Sequence, residues 1–563
     1  MVKQNRSVSL WLALLALAVL FLIANRGAYR GYFADDELDN LAFTDQLFPG
    51  DFSEGLLLPI FYQNNFRPAG HLFFRLMGDG FGLWFPPYVV ALQLLHLLNV
   101  ALLCLVLRRL KLPPIGCVAG ALFFAFHMAV FDVYWKPMYV FDLLCATLCL
   151  LCLLFWMSDG WASWLLSLIS IWLAFRSKEI AVMMPLALAA YELLPGRRRW
   201  LRLIPFAAFS LWFGTRGLFH AASLKTDYSL SFRASDLWTT AVFYSAKLAT
   251  VPNVGALVLV VLVLLAVVFV RDRWLLFGVA MFIAMLVPML LLPGRLFSAY
   301  LYVPLIGLSI AGACVAIRAP LAALILFFTV WLPWNYVNLR SMRRTALAQA
   351  EDRRQYVTAL ANLAERQPGI TSFVYQEGPL QEYGANAAER WLHPGKRIVM
   401  VSEREPKPAA LLQAPKLAIL HWDKATHRLD PIVRAPTIES YVRAGPDMPV
   451  WQLREGWFPG DGLHRWTRPH ATAELQRPAD AGALELVVIV TDEYLAKVHR
   501  SRVRLALDGA VRGEVELTHT GLQTFQVPIP AARVGQTELS IDVDPPYPGG
   551  ELLGIAVVAF GFV

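Results

Sequence analysis

Between residues 8 and 337 the chain is a succession of apolar runs, each about 18 residues or longer and almost free of charge. A helix of that length crosses a hydrocarbon layer of ~30 Å, and such runs in series describe a polytopic α-helical membrane protein. Only 16% of the residues are charged, against roughly 25% in an ordinary soluble domain, so a plain soluble fold is excluded. The 18 Trp, 35 Phe and 35 Pro argue against disorder and coiled coil, and no repeat of 20 to 50 residues is visible.

Eleven spans are expected, near residues 8–25, 82–107, 114–131, 137–157, 161–176, 178–195, 203–220, 252–270, 274–292, 300–317 and 320–337. The first follows the basic stretch Lys3 to Arg6, but the flank Asn25-Arg26-Gly27 lacks the small-residue pattern of a signal-peptide cleavage site. With the N-terminus in the cytoplasm, four of the five cytoplasmic loops carry Lys or Arg, as the positive-inside rule requires. Among them are Arg108-Arg109-Leu110-Lys111 and Arg197-Arg198-Arg199. The C-terminal half then lies on the non-cytoplasmic side, the bacterial periplasm. Long outer loops fall at 26–81 and 221–251, a length that in a compact body is usually functional.

Residues 1 to 337 hold 24 Lys and Arg against 16 Asp and Glu, whereas residues 338 to 563 hold 26 of each. All of the net +8 therefore belongs to the membrane half, where it reports loop topology rather than a nucleic-acid partner. The six cysteines all fall in apolar runs and read as small buried hydrophobes. The expected domains are a transmembrane body at 1–337, a helix with a small α/β unit at 338–448, and a β-sandwich at 449–563. Short alternating segments such as Val503-Arg504-Leu505-Ala506-Leu507, bounded by Gly, Pro and Asp, give the sandwich its signature.

The densest polar signal is Asp35-Asp36-Glu37-Leu38-Asp39, directly after the first span. Four carboxylates in five residues repel one another and call for nearby cations or hydrogen bonds. Such a cluster can be a solvated loop, a cation site, or the source of a general base for a hydroxyl nucleophile. The same outer face collects Arg67 (in Asn65-Phe66-Arg67-Pro68), Lys178 beside Glu179, and Arg295 (in Pro293-Gly294-Arg295), each at the end of an apolar run. Cations there run against the positive-inside trend and need partners. Either the first-loop carboxylates or a phosphate held at the membrane surface would serve.

In order along the chain come Ala34-Asp35-Asp36, Arg67-Pro68, His96-Leu97-Leu98-Asn99, Phe124-Ala125-Phe126-His127, Trp135, Asp142-Leu143-Leu144, Ser177-Lys178-Glu179, Arg295 and Tyr300-Leu301-Tyr302-Val303-Pro304. This series resembles the GT-C superfamily of polyprenyl-phosphate-sugar-dependent glycosyltransferases, in particular bacterial relatives of the TMTC-type O-mannosyltransferases, over residues 8 to about 320. Departures are His127-Met128 in place of His-Pro, Val140 in place of an Arg before Asp142, and the absence of tetratricopeptide repeats.

The resemblance implies a GT-C-like membrane domain of about eleven helices that transfers a sugar, with inversion, from a polyprenyl-phosphate donor to a hydroxyl acceptor on a protein, glycolipid or envelope polysaccharide. It implies Asp35 as general base with Asp36 second, Arg67, Lys178 and Arg295 toward the lipid phosphate, and Glu179 and Tyr302 shaping the site. His127 and Trp135 are candidate sugar or acceptor contacts, while His96 and Asn99 suit hydrogen bonds between helices. No nucleotide-binding loop and no metal cluster is visible, and no cofactor is expected; a divalent metal is permitted but not indicated. In the sandwich, Trp457 and Trp466 are candidate carbohydrate-stacking residues, with burial in the core as the other reading. The competing functions are a non-enzymatic lipid-linked glycan transporter or envelope scaffold, and a ligase that moves a whole glycan.

Overall fold

The computed structural model describes residues 2–563 except 61, 63–64, 224–227, 251–253, 258–260, 262–267, 269–271, 404–410, 532 and 549–550. The chain divides into two compact units, Met1–Glu351 and Asp352–Val563.

In the first unit, prolines set the helix starts. Pro49, Pro68, Pro86 and Pro114 each occupy the opening position of a helix, where the missing N–H costs nothing and the ring presets φ. After α1 (Val2–Asn25), the first long outer connection folds into α2 (Asp35–Asp45), α3 (Pro49–Leu57) and α4 (Pro68–Phe81). The bundle continues with α5 (Pro86–Arg109), α6 (Pro114–Phe126), α7 (Val140–Trp156), α8 (Trp161–Phe175), α9 (Met184–Leu193) and α10 (Trp200–Ser223). Then follow α11 (Ala234–Ala249), α12 (Arg273–Leu290), α13 (Tyr302–Ala316) and the 46-residue α14 (Leu321–Arg366).

Among the described residues, six helical stretches are long and apolar enough to cross a membrane: Leu10–Arg30, Pro86–Arg109, Pro137–Trp156, Arg273–Leu290, Ser298–Ala316 and Leu321–Arg366. A seventh forms if Pro114–Phe126 and Met128–Tyr134 make one span bent by 67°. The expected count of eleven is not reached on these residues. The region expected at 161–176 gives a 15-residue helix, about 22 Å long and short of the hydrocarbon thickness. The helix α9 has only 10 residues, and most of the expected span at 252–270 lies outside the described residues. The chain is an integral membrane protein with a β-rich C-terminal region.

Two features hold the bundle around its polar end. Helices α12 and α13 meet backbone to backbone: a Cβ on Gly307 would lie 2.4 Å from Phe282 N, and one on Gly278 2.6 Å from Ala311 N. Small residues at the crossing permit this approach, and it leaves a short connection that carries Arg295. Deeper in the bundle, His96 Nδ1 lies 2.8 Å from the Tyr302 hydroxyl, which also accepts from Asn99 Nδ2 at 3.1 Å. Thr147 donates to Asn99 Oδ1 at 2.7 Å. This network ties α5, α7 and α13 together. All six cysteines are buried and free of disulfides.

The second unit opens with a four-stranded sheet in the order β2-β1-β3-β4. β1 (Ser372–Tyr375) runs parallel to β2 (Val399–Ser402) and β3 (Leu417–Asp423), and β4 (Arg428–Arg434) returns antiparallel to β3. Helix α15 (Glu382–Leu392) provides the crossover from β1 to β2. Two antiparallel sheets follow. In one, β11 (Ala510–Leu517), β10 (Ser501–Leu507), β13 (Gly535–Asp544) and β8 (His470–Arg477) lie side by side. In the other, β12 (Gly521–Pro528), β9 (Ala483–Val490), β14 (Ala556–Phe562), β7 (His464–Thr467) and β6 (Trp457–Asp461) are adjacent, with β5 (Tyr441–Arg443) also paired to β14. The alternating segments thus form the expected sandwich.

The expected boundaries at 337 and 448 do not coincide with the compact units. Helix α14 passes residue 337 unbroken. One hydrophobic core joins Val374, Leu417 and Ile419 of the first sheet to Trp451, Leu486 and Phe560 of the sandwich.

Candidate functional site

Helix α4 begins at Pro68, so Arg67 stands at its N-cap, where the Arg67 N–H donates to His71 Nδ1 at 2.9 Å. Ala69 N–H donates to the Arg176 carbonyl at 3.2 Å, which brings the start of α4 beside the Ser177-Lys178-Glu179 turn. Arg176 points the other way. Its guanidinium donates to the carbonyls of Leu58 and Ile60 and lies 4.7 Å from the Trp172 ring centroid, clamping the first outer connection to α8.

The neighbouring dipeptide Lys178-Glu179 is not self-neutralised. Glu179 Oε1 accepts from Arg67 Nε at 2.7 Å, and Lys178 Nζ donates to Asp142 Oδ2 at 2.9 Å. The second pair is nearly enclosed, with side-chain exposures of 13% for Lys178 and 4% for Asp142, while the Glu179 side chain remains 54% exposed. Burial works against the Arg67 charge, but Glu179, its hydrogen bond and Asp142 outweigh it, so the group is held more firmly protonated than usual.

Arg295 differs from both. Among the described residues it makes no carboxylate ion pair within 4 Å, and its Nε is buried with no hydrogen-bond partner. Its guanidinium stands 4.1 Å from the Tyr228 ring centroid and 5.1 Å from that of Phe297. Burial disfavours its charge; the opposing influence of Tyr300, Tyr228 and Asp36 leaves its pKa raised. Tyr228 also feels Arg67 and Lys178, and burial raises its own pKa. Lys178 Nζ lies 5.3 Å from the Tyr300 ring centroid.

Three cations and the carboxylates Asp36, Asp142 and Glu179 thus surround the aromatic pair Tyr228 and Tyr300. Asp35 and Asp36 open helix α2, whose first turn favours negative charge. Glu37 turns back, its Oε2 accepting from Ala34 N–H at 2.5 Å.

The sequence candidates therefore separate. Asp36, Arg67, Lys178, Glu179 and Arg295 come together, with Asp35 adjacent to Asp36 on α2. Tyr302 does not join them: it is fully buried in the His96–Asn99 network. Trp135 is buried, and its Nε1 donates to Asn25 Oδ1 at 3.2 Å. His127 is fully buried beside Phe123 and Trp331. Trp457 donates from Nε1 to the Thr472 carbonyl at 2.7 Å and stacks on Phe560 in the core, so it offers no face to a sugar. Trp466 is half-buried and stacks on Tyr494. The sequence reading missed Asp142 and Tyr228 as site residues. A lone carboxylate in an apolar run was the available signal for Asp142, since a buried charge requires a cation; Tyr228 carried no comparable signal.

No family model and no curated protein matches this chain. Among solved structures it is similar to arabinofuranosyltransferase AftD from mycobacteria, at 12% identity and a TM-score of 0.40, covering 98% of this chain and 61% of that one. It is also similar to ArnT from Cupriavidus metallidurans bound to undecaprenyl phosphate, at 16% identity and a TM-score of 0.36, covering 68% of this chain and 75% of that one. The chain thus spans about three fifths of the length of AftD.

Proposed function

We propose that the protein is a membrane glycosyltransferase of GT-C type that takes a sugar from a polyprenyl-phosphate donor and passes it to a hydroxyl acceptor on the non-cytoplasmic face. The observation that carries this reading is Arg295, a half-buried cation with an unpartnered Nε, set among Lys178, Arg67 and the carboxylate-led helix α2 at the end of membrane-crossing helices. A phosphate monoester or diester supplies an acceptor for the Nε that the chain leaves unpartnered, and arginine matches phosphate with two parallel hydrogen bonds.

In this scheme the donor's phosphate rests against Arg295, with Lys178 and Arg67 adding positive potential while remaining anchored to Asp142 and Glu179. Asp35 accepts the proton of the acceptor hydroxyl as its oxygen attacks the anomeric carbon. The bond from that carbon to the phosphate oxygen breaks with inversion, and the electron pair leaves on the polyprenyl phosphate. Arg295 stabilises the charge that develops there. Asp36, which acts electrostatically on Arg295, orients the guanidinium. No step requires a nucleotide or a metal.

The direct test is Asp35→Asn in the full-length protein reconstituted in lipid. Transfer should vanish while binding of polyprenyl phosphate persists, and wild-type turnover in that variant would remove Asp35 from the role. Asp36→Asn should instead weaken donor binding, raising KM more than it lowers kcat.

A further inference from the structure

Outside this site the first unit holds a second cluster of cations. A cavity of about 380 Å³ is lined by Arg26, Gly27, Arg30, Arg343 and Leu347. Arg26 and Arg30 bound the short helical turn that ends the first membrane stretch, Leu10–Arg30. Arg343 lies on α14, about two turns past Tyr336 and Val337, and its aliphatic stem packs on Gly27: a Cβ there would come within 2.9 Å of Arg343 Cδ. Arg343 Nη1 donates to the Ala24 carbonyl at 3.0 Å, which fixes the guanidinium at the cavity wall.

What Arg26 and Arg343 lack is a counter-charge. Among the described residues, neither Arg26 nor Arg343 makes an ion pair within 4 Å, although arginines elsewhere in the same unit do. Arg199 pairs with Glu192, Arg197 with Asp159 and Arg318 with Asp272. Their surroundings are those of a bilayer interface. Only 6% of the residues in the apolar part of α14 are buried, and Ile325, Leu326, Phe327, Val330, Trp334, Tyr336 and Val337 are all exposed along it. Aromatic residues followed by arginines mark the headgroup level of a membrane-crossing helix.

We propose that this cavity binds the phosphate headgroup of an anionic membrane lipid, whose acyl chains lie along the exposed face of α14. The lipid supplies the negative charge that Arg26 and Arg343 lack, and Arg30 adds to the field. A free phosphate ion shares the headgroup's chemistry but gains nothing from the apolar helix face beside it. This site is distinct from that of Arg295, and its test does not require sugar transfer.

The full-length protein would be placed in nanodiscs of phosphatidylcholine doped with phosphatidylglycerol, then released into detergent, and the retained phosphatidylglycerol counted by native mass spectrometry. The wild type should retain it in preference to phosphatidylcholine. Arg26→Gln and Arg343→Gln should each weaken retention about fivefold, as expected for one arginine at a charged surface. Arg26 is exposed, so Arg26→Gln separates loss of the site from loss of the fold, and Arg343→Lys should recover part of the retention. Unchanged retention in the double variant Arg26→Gln/Arg343→Gln would overturn the proposal. So would displacement of phosphatidylglycerol by millimolar inorganic phosphate, which would assign the cavity to the free ion.

Discussion

At the scale of single residues, the site depends on which cations already have partners. Lys178 and Arg67 hold carboxylates, so removing either disturbs the structure as well as any ligand. Lys178→Met leaves the Asp142 carboxylate buried and alone, and should destabilise the protein by about 3 kcal/mol. The double variant Lys178→Met/Asp142→Leu should recover most of that loss in thermal unfolding without recovering transfer. Arg295 has no such debt. Arg295→Gln forfeits ring contacts and a hydrogen bond with Tyr300 and should change stability by no more than about 1 kcal/mol, while transfer falls about 100-fold, the scale of losing one donor to a developing oxyanion. Arg295→Lys keeps the charge without the fork and should fall between. The three cations and the carboxylates that the site needs were mostly legible as charges at the ends of apolar runs. Their pairing was not, because Lys178 and Asp142 are 36 residues apart and only the packing of α7 against the Ser177-Lys178-Glu179 turn brings them together.

At the scale of elements, the crossing of α12 and α13 sets the height of Arg295. Gly307→Ala forces a methyl group against the Phe282 backbone and should cost about 2 kcal/mol, with weaker polyprenyl-phosphate binding measured in the same preparation. Helix α15 carries a different lever. Glu389 and His393 are buried one turn apart, with His393 Nδ1 3.2 Å from Glu389 Oε2. The contact with Glu389 raises the His393 pKa, and burial raises that of Glu389. A raised pKa in the folded state adds stability that is complete below the unfolded value, about 6.5 for His, and is lost as pH rises through the folded value. Hydrogen exchange in α15 should therefore quicken as pH rises above about 6.5, beyond its intrinsic pH dependence. His393→Gln should flatten most of that excess, and an unaltered profile in the variant would rule out this pair as its source. Helix positions in the membrane half followed largely from apolar length. The folding of the first outer connection into α2, α3 and α4 did not, since its charged and aromatic residues are arranged for tertiary contacts such as those of Arg176 with Leu58 and Ile60.

At the scale of the whole molecule, a membrane-crossing bundle with a polar end is joined in sequence to a β-rich unit whose sandwich was legible from alternation and turns. Trp457 was not legible as a core residue, because a buried and an exposed tryptophan look alike in sequence until strand register decides the face. The bundle's polar end is where the proposed function rests: in it, Arg295 and α2 together would seat the lipid phosphate from which a sugar departs. The most direct measurement uses proteoliposomes containing the full-length protein and polyprenyl-phosphate sugars labelled in the sugar, with envelope glycolipid and polysaccharide fractions supplied as acceptors. The account requires release of free polyprenyl phosphate in step with transfer of label, and loss of both in Arg295→Gln. Passage of the intact lipid-linked sugar to the opposite leaflet without cleavage would contradict it.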